Sequence, residues 1–345
     1  MNKEVLKEKL EKLYQVNNLL RKEYSGLYVA SLGEHYVNYV WIRDTYYQTK
    51  PNLKKNPEAY VQTYRSLLDY YKGLNYKYDD KIDELIRKPF PINNIRFIHP
   101  RLYPDLTEIT GDWGNLQLDT FGYFFLGIAE GQLAGLKIIR DESDNEIINK
   151  LIKVLLKIEY WNIADNGIWE EPEEIHASSI GAILAGLLAL ERAEFIVPRK
   201  LLVNGFKRLN EILPRESLTK VVDLSLMTLI YPFEILNERN KLEVLKNTHK
   251  LLEKERGVIR YTGDKYYNVN GEAEWTFGLA YLFFAYIDTK PKRAEKYLSK
   301  LISLIDERGY IPELFYSKTD RPNDNNPLGW SVAMTILAIE RYLEK

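Results

Sequence analysis

The chain has 345 residues, with 48 Lys plus Arg against 49 Asp plus Glu, four His and no Cys. The near-neutral balance argues against a sequence-independent nucleic-acid binder, which needs a cationic surplus to displace counterions. No run of about 18 apolar residues exists to span a membrane, and the missing cysteines exclude a disulfide framework and cysteine-ligated metal sites. A reducing cytoplasm is the simplest location.

The first twenty residues, MNKEVLKEKLEKLYQVNNLL, are charged throughout and read as an amphipathic helix, not a signal peptide. Apolar residues at three-and-four spacing predict helices over 3–22, 57–75, 117–139, 144–162, 177–195, 240–254, 273–288, 292–306 and 328–343. Shorter candidates at 43–49, 79–87, 198–211 and 220–231 bring the total to about a dozen. Strand-like pieces occur only near Val258-Ile259-Arg260-Tyr261 and around Phe315, too few for a sheet domain. Pro51, Pro89, Pro91, Pro100 and Pro104 mark loops, and 88–112 is the longest stretch without clear helix. A loop that long in a compact domain is often functional. A second polar loop covers 320–327. Nothing is flexible and low-complexity enough to link two domains, so one domain over 1–345 is expected. No short internal repeat supports a solenoid. A closed toroid of helical hairpins would gather the interhelical loops at one end.

Those loops hold the chemistry. In Tyr39-Val40-Trp41-Ile42-Arg43-Asp44 an Arg-Asp pair lies next to Trp. Charged groups of that kind can hold vicinal hydroxyls while the ring covers an apolar sugar face. The alternative is an Asp at a helix start with a salt-bridged Arg. Trp113 stands in a Gly-flanked turn, Gly111-Asp112-Trp113-Gly114, with Gln117 and Asp119 on the first turns of the helix that follows. Trp169-Glu170-Glu171-Pro172 precedes another helix. The Glu pair could simply complement its dipole. An indole beside Glu170 also supplies an apolar wall, which favours the protonated carboxyl that a general acid needs. Arg260, Asp264 and Trp275 frame a third loop-to-helix junction, with Glu272 and Glu274 set aside as charge at a helix N-terminus. Pro312 precedes Glu313 and stiffens the backbone there, suiting a carboxylate of fixed direction, and Leu328-Gly329-Trp330-Ser331 follows. Two carboxylates brought to one cleft lined with rings are the minimum for acid/base cleavage of a glycosidic bond. His35, His99, His176 and His249 share no ligand spacing, so no metal site is expected. No phosphate-cradling glycine loop occurs, and Ser178-Ser179 has no nucleophile elbow around it.

Together and in this order the motifs resemble glycoside hydrolase family 15, which contains glucoamylases, glucodextranases and some trehalases. The markers are Trp41-Ile42-Arg43-Asp44, Trp113-Gly114 with Gln117 and Asp119, Gly167-Ile168-Trp169-Glu170-Glu171, Arg260 with Asp264 and Trp275, Pro312-Glu313, and Leu328-Gly329-Trp330-Ser331. The resemblance implies an all-α (α/α)6 barrel. It implies that Glu170 is the general acid and Glu313 the general base of an inverting hydrolase. Their carboxyls would then stand roughly 6.5–9.5 Å apart. Arg43, Asp44 and Arg260 match residues that grip a terminal glucose, Trp113 and Trp330 match aromatic walls, and Glu171 matches a substrate-contacting acid. Trp41, Gln117, Asp119, Trp169 and Asp264 join the substrate-binding candidates. No metal or organic cofactor is implied. Val37 stands where fungal members have an aromatic residue, and Asn115-Leu116 where they have Arg-Pro. Bacterial and archaeal members usually carry an N-terminal β-sandwich, for which no room is expected here. WGNLQLD, GIWE, EIHASSIG, IPELFYS and the DR of TDRPND also resemble the glucoamylase-like domain of the phosphorylase kinase α and β regulatory subunits. The expectation is an exo-acting enzyme releasing glucose from α-glucans or malto-oligosaccharides. The alternatives are a non-catalytic carbohydrate-binding or regulatory domain, or a hydrolase for trehalose or α-1,6-glucan.

Overall fold

The computed structural model describes residues 1–76, 80–88, 97–111 and 113–345. Pro89, Pro91 and Asp112, and the first residue of the helix expected over 79–87, lie outside the described residues. In chain order the α-helices are α1 (Lys3–Leu20), α2 (Ile42–Thr49), α3 (Asn52–Lys55), α4 (Pro57–Tyr76), α5 (Lys81–Arg87), α6 (Asp119–Leu133) and α7 (Glu142–Ile158). They continue with α8 (Ala177–Arg192), α9 (Arg199–Ile212), α10 (Glu238–Asn247), α11 (Phe277–Tyr286), α12 (Pro291–Ser303) and α13 (Gly329–Leu343). The described strands are two-residue pieces in two antiparallel ladders. β1 (Val40–Trp41) pairs β2 (Arg101–Leu102), and β3 (Glu274–Trp275) pairs β4 (Leu314–Phe315). No described helix is long and apolar enough to cross a membrane.

Helix starts follow local chemistry. Asn2, Asp141 and Asn237 each accept a backbone N–H of the first turn they precede, and Pro291 opens α12. Helix ends depart further from the periodic pattern. The helix expected over 117–139 stops at Leu133, because Gly135 turns left-handed and Leu136 N–H bonds back to Gly131 O. The one expected over 144–162 stops at Ile158, where Glu159 takes the left-handed conformation before a 3-10 turn at Tyr160–Asn162. The stretch expected over 240–254 passes from α10 into a π-helical turn, Thr248–Leu252. The helix expected over 220–231 is instead a 3-10 turn, Leu224–Leu229, capped by Asp223 and buried throughout. The one expected from 273 begins at Phe277, because Glu274 and Trp275 pair with β4. Of the strand-like pieces, Phe315 lies in β4 and Val258 bridges Trp275.

The chain resolves into two compact units, each built from separated segments. The first comprises Met1–Lys22, Tyr28–Tyr39 and Lys220–Lys345; the second comprises Glu23–Leu27 and Val40–Thr219. In the first, α1 buries Leu6, Leu13, Val16 and Leu20 at helical spacing and packs on α13, while α11 packs on α12. In the second, α6 and α8 are apolar almost all round and pack extensively on one another. Glycine makes that approach possible: a Cβ on Gly122 would stand 2.2 Å from the Ala182 carbonyl, and one on Gly186 would stand 2.6 Å from Gly122 O. Gln117 lies in the loop that enters α6, Asp119 opens α6 and Glu170 lies in the loop before α8, so this contact bears on the spacing of site residues.

Candidate active site

The second unit holds Glu170 and its partners. The register places Trp41 opposite Arg101, and Trp41 then caps α2, so Arg43 and Asp44 fall in the first turn and are buried. Arg43 does not simply pair with the neighbouring aspartate. Its Nη1 donates to Asp119 Oδ2 at 3.0 Å and to Gln117 Oε1 at 3.2 Å. Burial opposes the Arg43 charge, but Asp119, Asp44 and Glu170 hold its pKa well above the usual value. Burial pushes the Asp119 carboxyl up, and Arg43 opposes this.

Glu170 Oε1 accepts two hydrogen bonds and faces a longer ion pair. Trp41 Nε1 donates at 2.6 Å, Gln117 Nε2 donates at 3.0 Å, and Arg101 Nε lies 3.9 Å away. The indole that bonds the carboxylate is therefore that of Trp41. Trp169 and Glu171 are half-buried beside it in sequence. Glu170 adopts φ 61°, a left-handed conformation that costs a non-glycine residue about 1 kcal/mol. The surrounding loop holds it there. Asn166 exchanges bonds with Leu116 through its backbone and Oδ1, and its Nδ2 donates to Glu171 O at 2.9 Å. Asp165 Oδ2 accepts Leu118 N–H at 2.9 Å and the Ser179 hydroxyl at 2.8 Å. Burial pushes the Asp165 carboxyl up to about 7, against His176 and these donors. The Glu170 loop and the Gln117 turn are thus stitched into one piece.

The first unit holds Glu313, which is 3% exposed. Asn323 Nδ2 donates to its Oε2 at 2.5 Å and Asn325 Nδ2 at 2.7 Å. Its backbone is fixed too: Glu313 N–H donates to Asn325 O at 3.0 Å, and Thr276 donates to Pro312 O and Glu313 O. Burial pushes the Glu313 carboxyl up to about 7, opposed by Asn325, Asn323 and then Arg260. Arg260 makes a bidentate pair with the fully buried Asp264, at 2.7 and 2.5 Å. Its guanidinium lies 4.9 Å from the Tyr266 ring and 5.3 Å from Trp275. Trp330 is buried and stacked on Phe277 at 4.3 Å, and its neighbour Ser331 shares a hydrogen bond with Thr276. Glu272 and Glu274 accept backbone N–H groups of Gly263 and Arg256. They hold loops together, and α11 begins only at Phe277.

Residues 8–200 match the family model of glycosyl hydrolases family 15. This chain belongs to that family. Among curated proteins it is similar to the probable phosphorylase b kinase regulatory subunit alpha of Caenorhabditis elegans, at 27% identity over 253 residues covering 59% of this chain and 20% of that protein. The corresponding Drosophila melanogaster subunit is 24% identical over 335 residues, covering 80% of this chain and 26% of that protein. The chain therefore spans about a fifth to a quarter of the length of these relatives. Among solved structures it is similar to a wild-type glycosidase with a TM-score of 0.82 at 20% identity, covering 99% of this chain and 97% of that one. A glucoamylase from Saccharomycopsis fibuligera gives 0.71 at 15% identity, covering 100% and 96%. These likenesses show the fold, the (α/α)6 barrel of the glucoamylases.

In this family member the motif residues fall into two sets. Trp41, Arg43, Asp44, Trp113, Gln117, Asp119, Trp169, Glu170 and Glu171 belong to the second unit; Arg260, Asp264, Glu313 and Trp330 belong to the first. Sequence reasoning missed Arg101, Asn166, Asn323 and Asn325. Both Asn323 and Asn325 lie in the polar loop already marked at 320–327. Their alternation is the signal available there, since residues two apart in extended backbone share a side.

Proposed function

We propose that this chain is an exo-acting, inverting glycoside hydrolase of glucoamylase type, releasing glucose from the non-reducing end of α-glucans or malto-oligosaccharides. Glu170 protonates the glycosidic oxygen and Glu313 draws a proton from the attacking water. What carries the proposal is the setting of the two carboxyls. Glu313 is buried on asparagine amides, and Glu170 is held in a left-handed conformation on an indole and an amide. Neither setting is a cheap way to hold a structural glutamate, and perturbed or strained acids concentrate at functional sites. Arg43, Asp44, Arg260 and Glu171 are assigned to hydroxyl recognition, and Trp113 and Trp330 to the walls. A glycosidase of the same fold, in complex with glucose, supports a sugar as ligand. A cytoplasmic location is kept as part of the proposal, on the absence of cysteine.

The curated relatives favour a second reading, because they are regulatory subunits. In it the same residues would hold a glucan without turnover. Glucose release and oligosaccharide binding by wild type, Glu170→Gln and Glu313→Gln decide between them. Hydrolysis by these carboxyls requires loss of turnover in both variants and a β-anomer as first product. Equal background rates in all three, with binding retained, establish the regulatory reading. A panel of maltose, isomaltose and trehalose fixes the linkage.

A further inference from the structure

Arg101 is fully buried and is the largest side chain among the described residues with that little exposure. A charged side chain is rarely buried so completely without a specific task. Its place on β2 sets it opposite Trp41 on β1, and its guanidinium lies 5.6 Å from the Trp41 ring. On another side it stacks 3.7 Å from the Trp113 ring, and its Nη2 donates to Trp113 O at 2.6 Å. Trp113 is therefore gripped through both its ring and its backbone. The two indoles meet edge to face, with centroids 6.2 Å apart at 88°. Trp41 in turn donates to Glu170 Oε1, and Arg101 Nε lies 3.9 Å from the same oxygen.

Trp113 nevertheless keeps 44% of its surface exposed. An indole fixed on a buried guanidinium and still half open to solvent is a platform for the apolar face of a pyranose ring. The geometry points to Arg101 as the positioning residue that locks this platform in register with Glu170, and so sets how tightly a multi-sugar substrate is held. The inference rests on the glycosidase proposal for the identity of the ligand; the locking itself does not. A planar fork is needed to stack on Trp113 and bond its carbonyl together. A lysine would keep the charge but could not make both contacts at once.

The experiment uses protein labelled with 5-fluorotryptophan, with the Trp113 resonance assigned by loss in Trp113→Phe. In wild type it is one sharp fluorine line; in Arg101→Lys it broadens or splits. An unchanged line in Arg101→Lys overturns the inference, whatever the ligand. With maltotriose, Arg101→Lys is expected to raise KM about tenfold and to leave kcat within about threefold, a split that general loosening of the fold would not give. Trp113→Ala, an exposed substitution, supplies the test from the other side should Arg101→Lys not fold: the same rise in KM is expected, and an unchanged KM refutes the platform. If wild type neither binds nor cleaves maltotriose, the glycosidase proposal and with it the sugar platform fall, while the fluorine spectra still decide the locking.

Discussion

Replacing Glu313 by Gln removes a titrating proton from a buried site while keeping the side chain's size and an oxygen for the two asparagine amides. Burial raises the Glu313 pKa from 4.5 to about 7 in the folded protein. Between those values the folded state binds a proton that the unfolded chain has released, so stability falls as pH rises through this window and levels off above it. Each pH unit corresponds to about 1.4 kcal/mol, which makes the loss on the order of 3 kcal/mol between pH 4.5 and 7. Glu313→Gln lacks that loss. Urea unfolding of both proteins at pH 5 and pH 8 gives the measurement, because comparing the pH dependence cancels any fixed cost of the amide. Wild type is expected to lose about 2–3 kcal/mol more than the variant on going from pH 5 to pH 8. The variant therefore gains stability relative to wild type as pH rises through this window. Parallel pH dependences would refute the claim that Glu313 is held against its ionisation.

The same pKa predicts a kinetic limb. If Glu313 is the proposed base it must be ionised to act, so kcat/KM for maltotriose should rise with pH through about 7 as Glu313 loses its proton. Asn325→Leu removes a donor that favours the anion and should move this limb to higher pH; an unmoved limb assigns it to another group. Away from the carboxyls, Gly186→Ala should destabilise the protein by about 1–3 kcal/mol through overpacking. Its new methyl meets Gly122 backbone at 2.6 Å, so α6 and α8 must separate. An unchanged unfolding midpoint would show that they are not locked at this point.

Glu170 and Glu313 stand out in the sequence because each lies in a short loop beside a ring or a proline, in a chain with few other chemical landmarks. Helical starts are legible for a related reason: Asn2, Asp141 and Asn237 act on backbone one turn away. Ends are less so, because Glu159 takes a left-handed conformation that its side chain does not announce. A closed toroid is suggested by the gathering of motif residues in interhelical loops, but its six-hairpin form comes from the resemblance, since periodicity counts helices without ordering them in space. Arg101 shows the deeper obstacle. It is one of 48 cations. What singles it out is a cross-strand register with Trp41, sixty residues away, and a stack on Trp113. Asn323 and Asn325 are legible as loop, but their task depends on Glu313 N–H reaching Asn325 O, a bond between two segments of no regular period. Periodicity reports which face of a helix is dry. The donors around a carboxyl are chosen by which loops fold back on one another. In the second unit that choice is made by helices meeting at Gly122 and Gly186, positions that a periodic pattern registers only as small and buried.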